Sequence, residues 1–378
     1  MNIYQELGVE TIINAAGSMT DLGGSIMDPE TTNAMIAASR YFVDIPELHQ
    51  AAGRRIAELV GVEAVHVCLC ASAGITLMAA ACMTGTDPIK ASRLPDTSGM
   101  KNRFVVHQAH RNPFDHAVHI AGGEFSEISS DLGELKAALT DEVAAVYYTY
   151  AWFCVGEALP LKQVTQVAHR VGVPVIVDAA AQVPPVENLS QFIENGADLV
   201  AFSGGKAIQG PQSSGLILGR KDLVDACTIN DSPNVASIGR GMKAAKEEIV
   251  GLVKAIELYV QKDHAAEMRI WEERVSHIIS VLSEIDGITL RRELPPGIGS
   301  LIPFVSVTWD EKMLGVTLQE VVRQLREGVP RIAIKLVDEQ TPGVKHPQLW
   351  IRVHTLQEGE ETVVARRIKE LLSERRHP

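Results

Sequence analysis

Apolar positions along this chain recur with two different spacings. In one, short unbroken runs rich in Val, Ile and Tyr appear: AVHVCLC, RFVVHQ, AAVYYTY, PVIVDAA, DLVAFSGG and SGLILG. Runs of that length and β-branched content read as strands buried on both faces, as in parallel sheets. In the other, apolar residues return every three to four positions, as in SAGITLMAAACMTG, LGELKAALT and PLKQVTQVAHRVG, so helices are predicted between strands. The alternation predicts a largely parallel sheet covered on both faces, from about residue 60 to 220. SGLILG follows DLVAFSGG too closely for a helical crossover, so that pair is expected to run antiparallel.

The flanking segments carry their own punctuation. Asp28-Pro29-Glu30 is a helix start, and PELHQAAGRRIAELVG is an amphipathic helix stopped by Gly61. Before them, INAAGSMTDLGGS is rich in Gly and Ser and is expected to cover a site. After SPNVASIGRGMKAAKEEIVGLVKAIELYV a long helical region reaches about Ser283. The remainder reads strand, strand, helix, strand, strand, helix, a small α+β domain. The expected division is therefore 1–45 as a covering segment, 46–245 as the large sheet domain, and 246–378 as the smaller C-terminal domain with its linking helix.

Composition narrows the function. A chain of 378 residues, 46% hydrophobic and 22% charged, can bury a large core and form two domains. A net charge of −12 argues against nucleic-acid binding, which needs clustered Lys and Arg to neutralise phosphates. The basic tail ARRIKELLSERRHP reads as the solvated face of a terminal helix. Cys68, Cys70, Cys82, Cys154 and Cys227 lack the paired spacing of a zinc site, so reduced thiols and no metal are expected. No stretch is apolar and long enough to span a bilayer, and no basic start precedes an apolar leader. A soluble cytoplasmic protein without membrane partners is the expectation.

The candidate chemistry sits where strands end. In open α/β sheets ligands bind at the carboxyl ends of the strands. Asp178 ends PVIVD, and Lys206 follows the next strand among Ser203, Gly204, Gly205 and Gly210. Asp178 alone also reads as a helix cap or a buried, hydrogen-bonded acid. A lysine between glycines gains nothing in helix propensity and has no adjacent acid. Together the two suit pyridoxal 5'-phosphate: Lys206 carries the cofactor as a Schiff base, and Asp178 pairs with the pyridinium nitrogen. The segment CASAGITLMAAA opens a helix after a strand, so the amides around Ser72, Ala73 and Gly74 are expected to hold the phosphate, with Ser203 adding a hydroxyl.

VVHQAHRNPFDHAVHIAG brings His107, His110, His116 and His119 to one strand end. His110 is expected to stack on the cofactor ring or move protons, with Arg111 near the substrate; His116 and His119 read as structural. Arg240, or Lys243 beside it, sits in a Gly-rich turn from which it can reach a phosphate. Arg352 in LWIRVHT suits a substrate carboxylate, with an exposed strand arginine as the bland alternative. Ser18 and Thr20 are candidates to protonate a leaving group.

INAAGSMTDLGG, LHQAAGRRIAELVG, CASAGITLMAAA, VIVDAA, SGGKAIQGPQSSG and IGRGMKAAKEEIVGL together resemble the selenocysteine synthase-like branch of fold type I pyridoxal phosphate enzymes. They are most similar to its D-glucosaminate-6-phosphate ammonia-lyase group. The resemblance implies an aspartate aminotransferase-like large domain, a small C-terminal domain, and a homodimer or higher oligomer with sites at the subunit boundary. It implies Lys206 as the Schiff-base lysine, Asp178 as the pyridinium partner and Ser72–Gly74 as the phosphate cup. The implied activity is a lyase that takes the α-proton of a small polar amino acid or amino-sugar acid, giving a 2-oxo acid and ammonia. Aldol cleavage, racemisation and transfer, including selenium transfer to seryl-tRNA, start from the same cofactor complex. A non-catalytic homologue is the remaining alternative. A nicotinamide dehydrogenase would need GxGxxG, which CASAG lacks.

Overall fold

The computed structural model describes residues 2–154, 156–295 and 300–373. Its strands are β1 (Ile12–Ala15), β2 (Ala64–Cys68), β3 (Arg103–His107), β4 (Glu124–Ile128), β5 (Val143–Thr149), β6 (Val175–Asp178), β7 (Leu199–Ser203), β8 (Gly215–Gly219), β9 (Ile288–Glu293), β10 (Phe304–Trp309), β11 (Arg331–Val337) and β12 (Gln348–Arg352). They divide between two units. One runs from Ser25 to Lys262; the other joins the residues up to Gly24 to those described from Asp263 on.

The larger unit holds a seven-stranded sheet in the order β2-β8-β7-β6-β5-β3-β4. Neighbouring strands from β4 to β7 are parallel, and β8 runs antiparallel to both β7 and β2, as its short connection requires. Two apolar layers flank the sheet. On one face Val65, Val67, Val105, Val177 and Val200 meet Ile56, Val164, Leu252 and Ile256; on the other Phe104, Tyr147, Ile176 and Ile217 meet the helix Ala71–Thr84. Alternate residues of each strand thus go to opposite layers, and every central strand reads as an unbroken apolar run.

Helix starts follow the sequence closely. Oδ1 of Asp28 accepts the Glu30 amide at 2.8 Å, opening Pro29–Ala38. The helix Ile45–Val60 starts on Asp44 and stops at Gly61, whose φ of +78° is open to glycine at little cost.

The smaller unit has a five-stranded sheet, β1-β11-β12-β10-β9, with one face packed against Trp271, Val275, Val321, Val364 and Ile368 of its helices. The division differs from the expected one. IINA forms β1, parallel to β11, instead of being part of a covering loop, so the chain's start belongs to the smaller unit. The helices Pro29–Ala38 and Ile45–Val60 both pack on Lys246–Gln261, which places that helix in the larger unit. The long helical region is two helices, Lys246–Gln261 and His264–Leu282, broken at Lys262 and Asp263. No described helix is long and apolar enough to cross a membrane.

Candidate active site

Three strand ends of the larger unit converge on one site. Lys206 lies in a loop that folds back between β7 and β8. The Gly204 amide donates to the Ser214 carbonyl at 2.9 Å, the Gly210 amide to the Gly204 carbonyl at 2.9 Å, and the Gln209 amide to the Lys206 carbonyl at 3.0 Å. The glycines here provide space and not a special φ: a β-carbon on Gly205 would stand 2.5 Å from Cα of Gln212. The one left-handed residue is Gln209, at φ +58°. Nζ of Lys206 makes no hydrogen bond or ion pair with any described residue. Burial lowers its pKa, and the negative charge of Asp178 opposes that shift.

Asp178 ends β6 between β5 and β7, paired in register with Thr149 and Ala201. Its Oδ1 accepts the Ala180 amide at 3.0 Å, and its Oδ2 accepts the Tyr147 hydroxyl at 3.5 Å. Burial raises the pKa of the carboxyl, while the Ala180 amide, Lys206 and Tyr147 pull it back down. The acid and the amine each alter the other's ionisation.

The helix expected to hold the phosphate starts one residue before Ser72. The helix runs Ala71–Thr84 with Cys70 as its cap: Sγ accepts the Ala73 amide at 3.4 Å, and the Cys70 carbonyl takes the Gly74 amide at 2.8 Å. Gly74 is therefore already in the helical ladder. Its bare Cα serves packing, since a β-carbon would meet Sγ of Cys68 at 3.1 Å and Ile217 at 3.4 Å. The amides ahead of the first helical bond are those of Ala71 and Ser72, with Ala73 held by a weak thiol acceptor. Ser203, at the end of β7, donates its amide to the Ala180 carbonyl at 3.2 Å.

His110 is buried, with its ring edge-on to Tyr148 at 4.3 Å and to His107 at 5.3 Å. Its Nδ1 accepts the Thr149 amide at 3.4 Å. Burial, helped by His107, brings its pKa down to about 3, which favours the neutral ring. Arg111 is held by two acids. Its Nε donates to Oδ2 of Asp115 at 2.5 Å, it also pairs with Glu127, and its guanidinium lies 4.7 Å from the Phe125 ring. Asp115, buried, also accepts the Asn112 amide, so this cluster fixes the turn that carries His110. His119 bonds the Gly123 carbonyl at 2.8 Å and is structural as expected. Arg240 and Lys243 are exposed on the loop after Asn230.

The smaller unit holds the other substrate candidates. Arg352 is buried, not an exposed strand arginine, and its guanidinium lies 4.2 Å from the Phe304 ring and 4.8 Å from Trp350. No carboxylate of a described residue pairs with it. Burial lowers its pKa to about 10, which leaves it charged at neutral pH. Oγ of Ser18 is 3.4 Å from Nε2 of His354, and Gly17, at φ +100°, lies against Arg352 and His354. Thr20 opens a 3-10 turn.

Tyr147, Asp115 and His354 escaped the sequence reading. A tyrosine inside an apolar run reads as core, and only its neighbour across the sheet reveals its polar end. No described group of His, Cys, Asp and Glu has metal-binding geometry.

These residues fit pyridoxal phosphate. An amine without a partner among the described residues stands near a buried carboxylate, and a helix starts in the same strand-end region with amides that no described residue accepts.

The aminotransferase class-V family matches residues 43–328. D-glucosaminate-6-phosphate ammonia lyase of Salmonella typhimurium (strain 14028s / SGSC 2262) is 34% identical over 98% of this chain and 98% of its own length. A 5'-C-glycyluridine monooxygenase-decarboxylase from Streptomyces sp is 33% identical over 98% of this chain and 92% of its own. A solved structure of D-glucosaminate-6-phosphate ammonia-lyase superposes with a TM-score of 0.85 at 32% identity, covering 99% of both chains.

Proposed function

This chain belongs to the aminotransferase class-V family of fold type I pyridoxal phosphate enzymes, and from that we propose a lyase that releases ammonia from a small hydroxylated amino acid, an amino-sugar acid above all. The electrostatic coupling of Lys206 to the buried Asp178 carries the reading, and the lyase relatives, matched end to end, support its direction.

When bound, the cofactor supplies an electron-withdrawing ring that acidifies the α-carbon of an attached amino acid. Lys206 would hold it covalently through Nζ, Asp178 would keep a proton on the ring nitrogen, and the amides of Ala71, Ser72 and Ala73 would receive its phosphate. Freed by the substrate amine, Lys206 would be the base that takes the α-proton. Burial lowers its pKa, which favours a base, and the charge of Asp178 opposes that shift. Loss of the β-hydroxyl as water and return of water at the α-carbon give a 2-oxo acid and ammonia, with no net oxidation.

Arg352 is assigned the substrate carboxylate, because a buried guanidinium without a carboxylate partner is suited to one. Ser18 or Thr20 is assigned the leaving hydroxyl, and His110 the wall beside the ring. Arg240 is assigned a phosphate across a subunit boundary, in a homodimer or larger assembly.

The test is a screen of amino-sugar acids, with and without 6-phosphate, and β-hydroxy amino acids for 2-oxo acid and ammonia, with dissolved oxygen monitored. Equal amounts of both products without oxygen uptake support the lyase. Oxygen uptake with carbon dioxide release would overturn it in favour of chemistry like that named for the Streptomyces relative.

A further inference from the structure

We infer that Tyr147 is a positioning residue for Asp178, orienting the carboxylate and holding it ionised through a hydroxyl donated to Oδ2. The inference rests on the pyridoxal phosphate reading above.

Adjacent parallel strands create the contact. Thr149 of β5 lies opposite Asp178 of β6, and Tyr147 lies opposite Ile176. Side chains two apart on a strand share a face, so Tyr147, Ile176 and Asp178 all project toward the layer containing the helix Ala71–Thr84. The phenol is fully buried, and its ring packs 5.7 Å from Phe125. A phenylalanine would fill the same volume. The hydroxyl adds only a polar group, which costs free energy in a core unless it finds an acceptor. An acceptor is Oδ2 of Asp178 at 3.5 Å, beside the Thr149 hydroxyl two residues along β5, while Oδ1 is already committed to the Ala180 amide. The two donors therefore reach different oxygens, fixing the plane of the carboxylate and leaving lone pairs for a ring N–H.

Other groups act on Asp178 but do not replace this one. Lys206 supplies positive charge, which its role in catalysis neutralises in part. Asp115 supplies negative charge. Burial keeps the Cys154 thiol protonated, raising its pKa to about 12. Burial and the charge of Asp178 hold the Tyr147 phenol protonated as well, so it remains a donor at any working pH. Without that donor the buried carboxylate would draw the proton from the ring nitrogen more readily. The ring would then withdraw electrons less, and the nitrogen linking it to Lys206 would keep its proton to higher pH.

The test compares wild type and Tyr147→Phe, both loaded with pyridoxal phosphate, by visible absorbance across pH. The expected result is an upward shift of the titration midpoint by about half a unit or more, the size of one lost hydrogen bond. The same substitution in an Asp178→Asn background should produce no further shift. A fluorinated tyrosine at 147, a stronger donor, should move the midpoint the other way, and it keeps the question answerable if the phenylalanine variant folds poorly. An unchanged midpoint in folded, loaded Tyr147→Phe overturns the inference. A wild-type protein whose visible band is missing, or survives Lys206→Ala, overturns the cofactor reading itself, and the inference with it.

Discussion

A side chain on Gly204 would place its β-carbon 2.1 Å from the hydroxyl oxygen of Ser214. That oxygen is itself held at 2.5 Å from the Pro211 carbonyl, so it cannot move aside without breaking a buried bond. Gly204→Ala should therefore open the loop that carries Lys206, with a loss of roughly 2–3 kcal/mol from overpacking. Thermal unfolding measures the loss. Gly241→Ala, where nothing stands within 4 Å, is the control expected to unfold like wild type.

Lys206→Ala should fold normally, because the side chain makes no bond with any described residue. Turnover should fall by roughly 10²–10⁴-fold, the range of a lost general base, or by more if covalent attachment is also required. The visible band of the bound cofactor should disappear. Retention of both the band and turnover would remove Lys206 from the mechanism.

Acid should destabilise the larger unit through neutral histidines. Burial lowers the pKa of His49 and of His107 from 6.5 to about 4, and of His110 to about 3. In the unfolded chain these rings take up protons below about 6.5, whereas in the folded protein they do not. Stability is therefore fully present above 6.5 and declines as pH falls toward 4 and 3, at roughly 1.4 kcal/mol per pH unit for each ring. Urea unfolding at stepped pH should show this slope, and His49→Phe should make it shallower. A flat profile from pH 7 to 4 would mean that the rings are charged in the fold.

Two arginines should behave in opposite ways. Arg111 is bound to Asp115 and Glu127, so Arg111→Ala should lower stability by about 1–2 kcal/mol, allowing for its partial exposure. Its KM should change little. Arg352 has no acid partner among the described residues, so Arg352→Lys should raise KM for a carboxylate substrate by roughly tenfold to a hundredfold, with a smaller change in kcat. Steady-state kinetics beside unfolding curves separate the cases, and a selective KM effect at Arg111 would reverse their roles.

The sequence revealed what local pattern controls. The central strands are apolar runs, and Asp178 and Lys206 interrupt that pattern at strand ends, where ligands bind. What it hid depends on distant partners. β4, EFSEI, is an edge strand with only Ile128 buried, so it lacks the apolar run that marks the others. β1 is four residues long and pairs with β11 near the opposite end of the chain, where no local signal reaches. Arg111 reads as a free cation until Asp115 and Glu127 are brought to it. Cysteine seldom caps helices, so Cys70 gave no hint that the helix starts at Ala71 and that its free amides precede Gly74.

That shift in the helix start yields a test with two opposite signs. Ser72 is exposed in the first turn of the helix Ala71–Thr84, where the backbone amides concentrate partial positive charge. An aspartate there should stabilise the empty protein by about 0.3–1 kcal/mol through that same charge. It should also repel a phosphate from the amides it competes for, so Ser72→Asp should weaken cofactor binding by roughly tenfold or more. Thermal unfolding of the cofactor-free protein and titration with pyridoxal phosphate measure the two effects separately. A variant that is stabilised and still binds the cofactor as tightly as wild type would move the phosphate away from this helix.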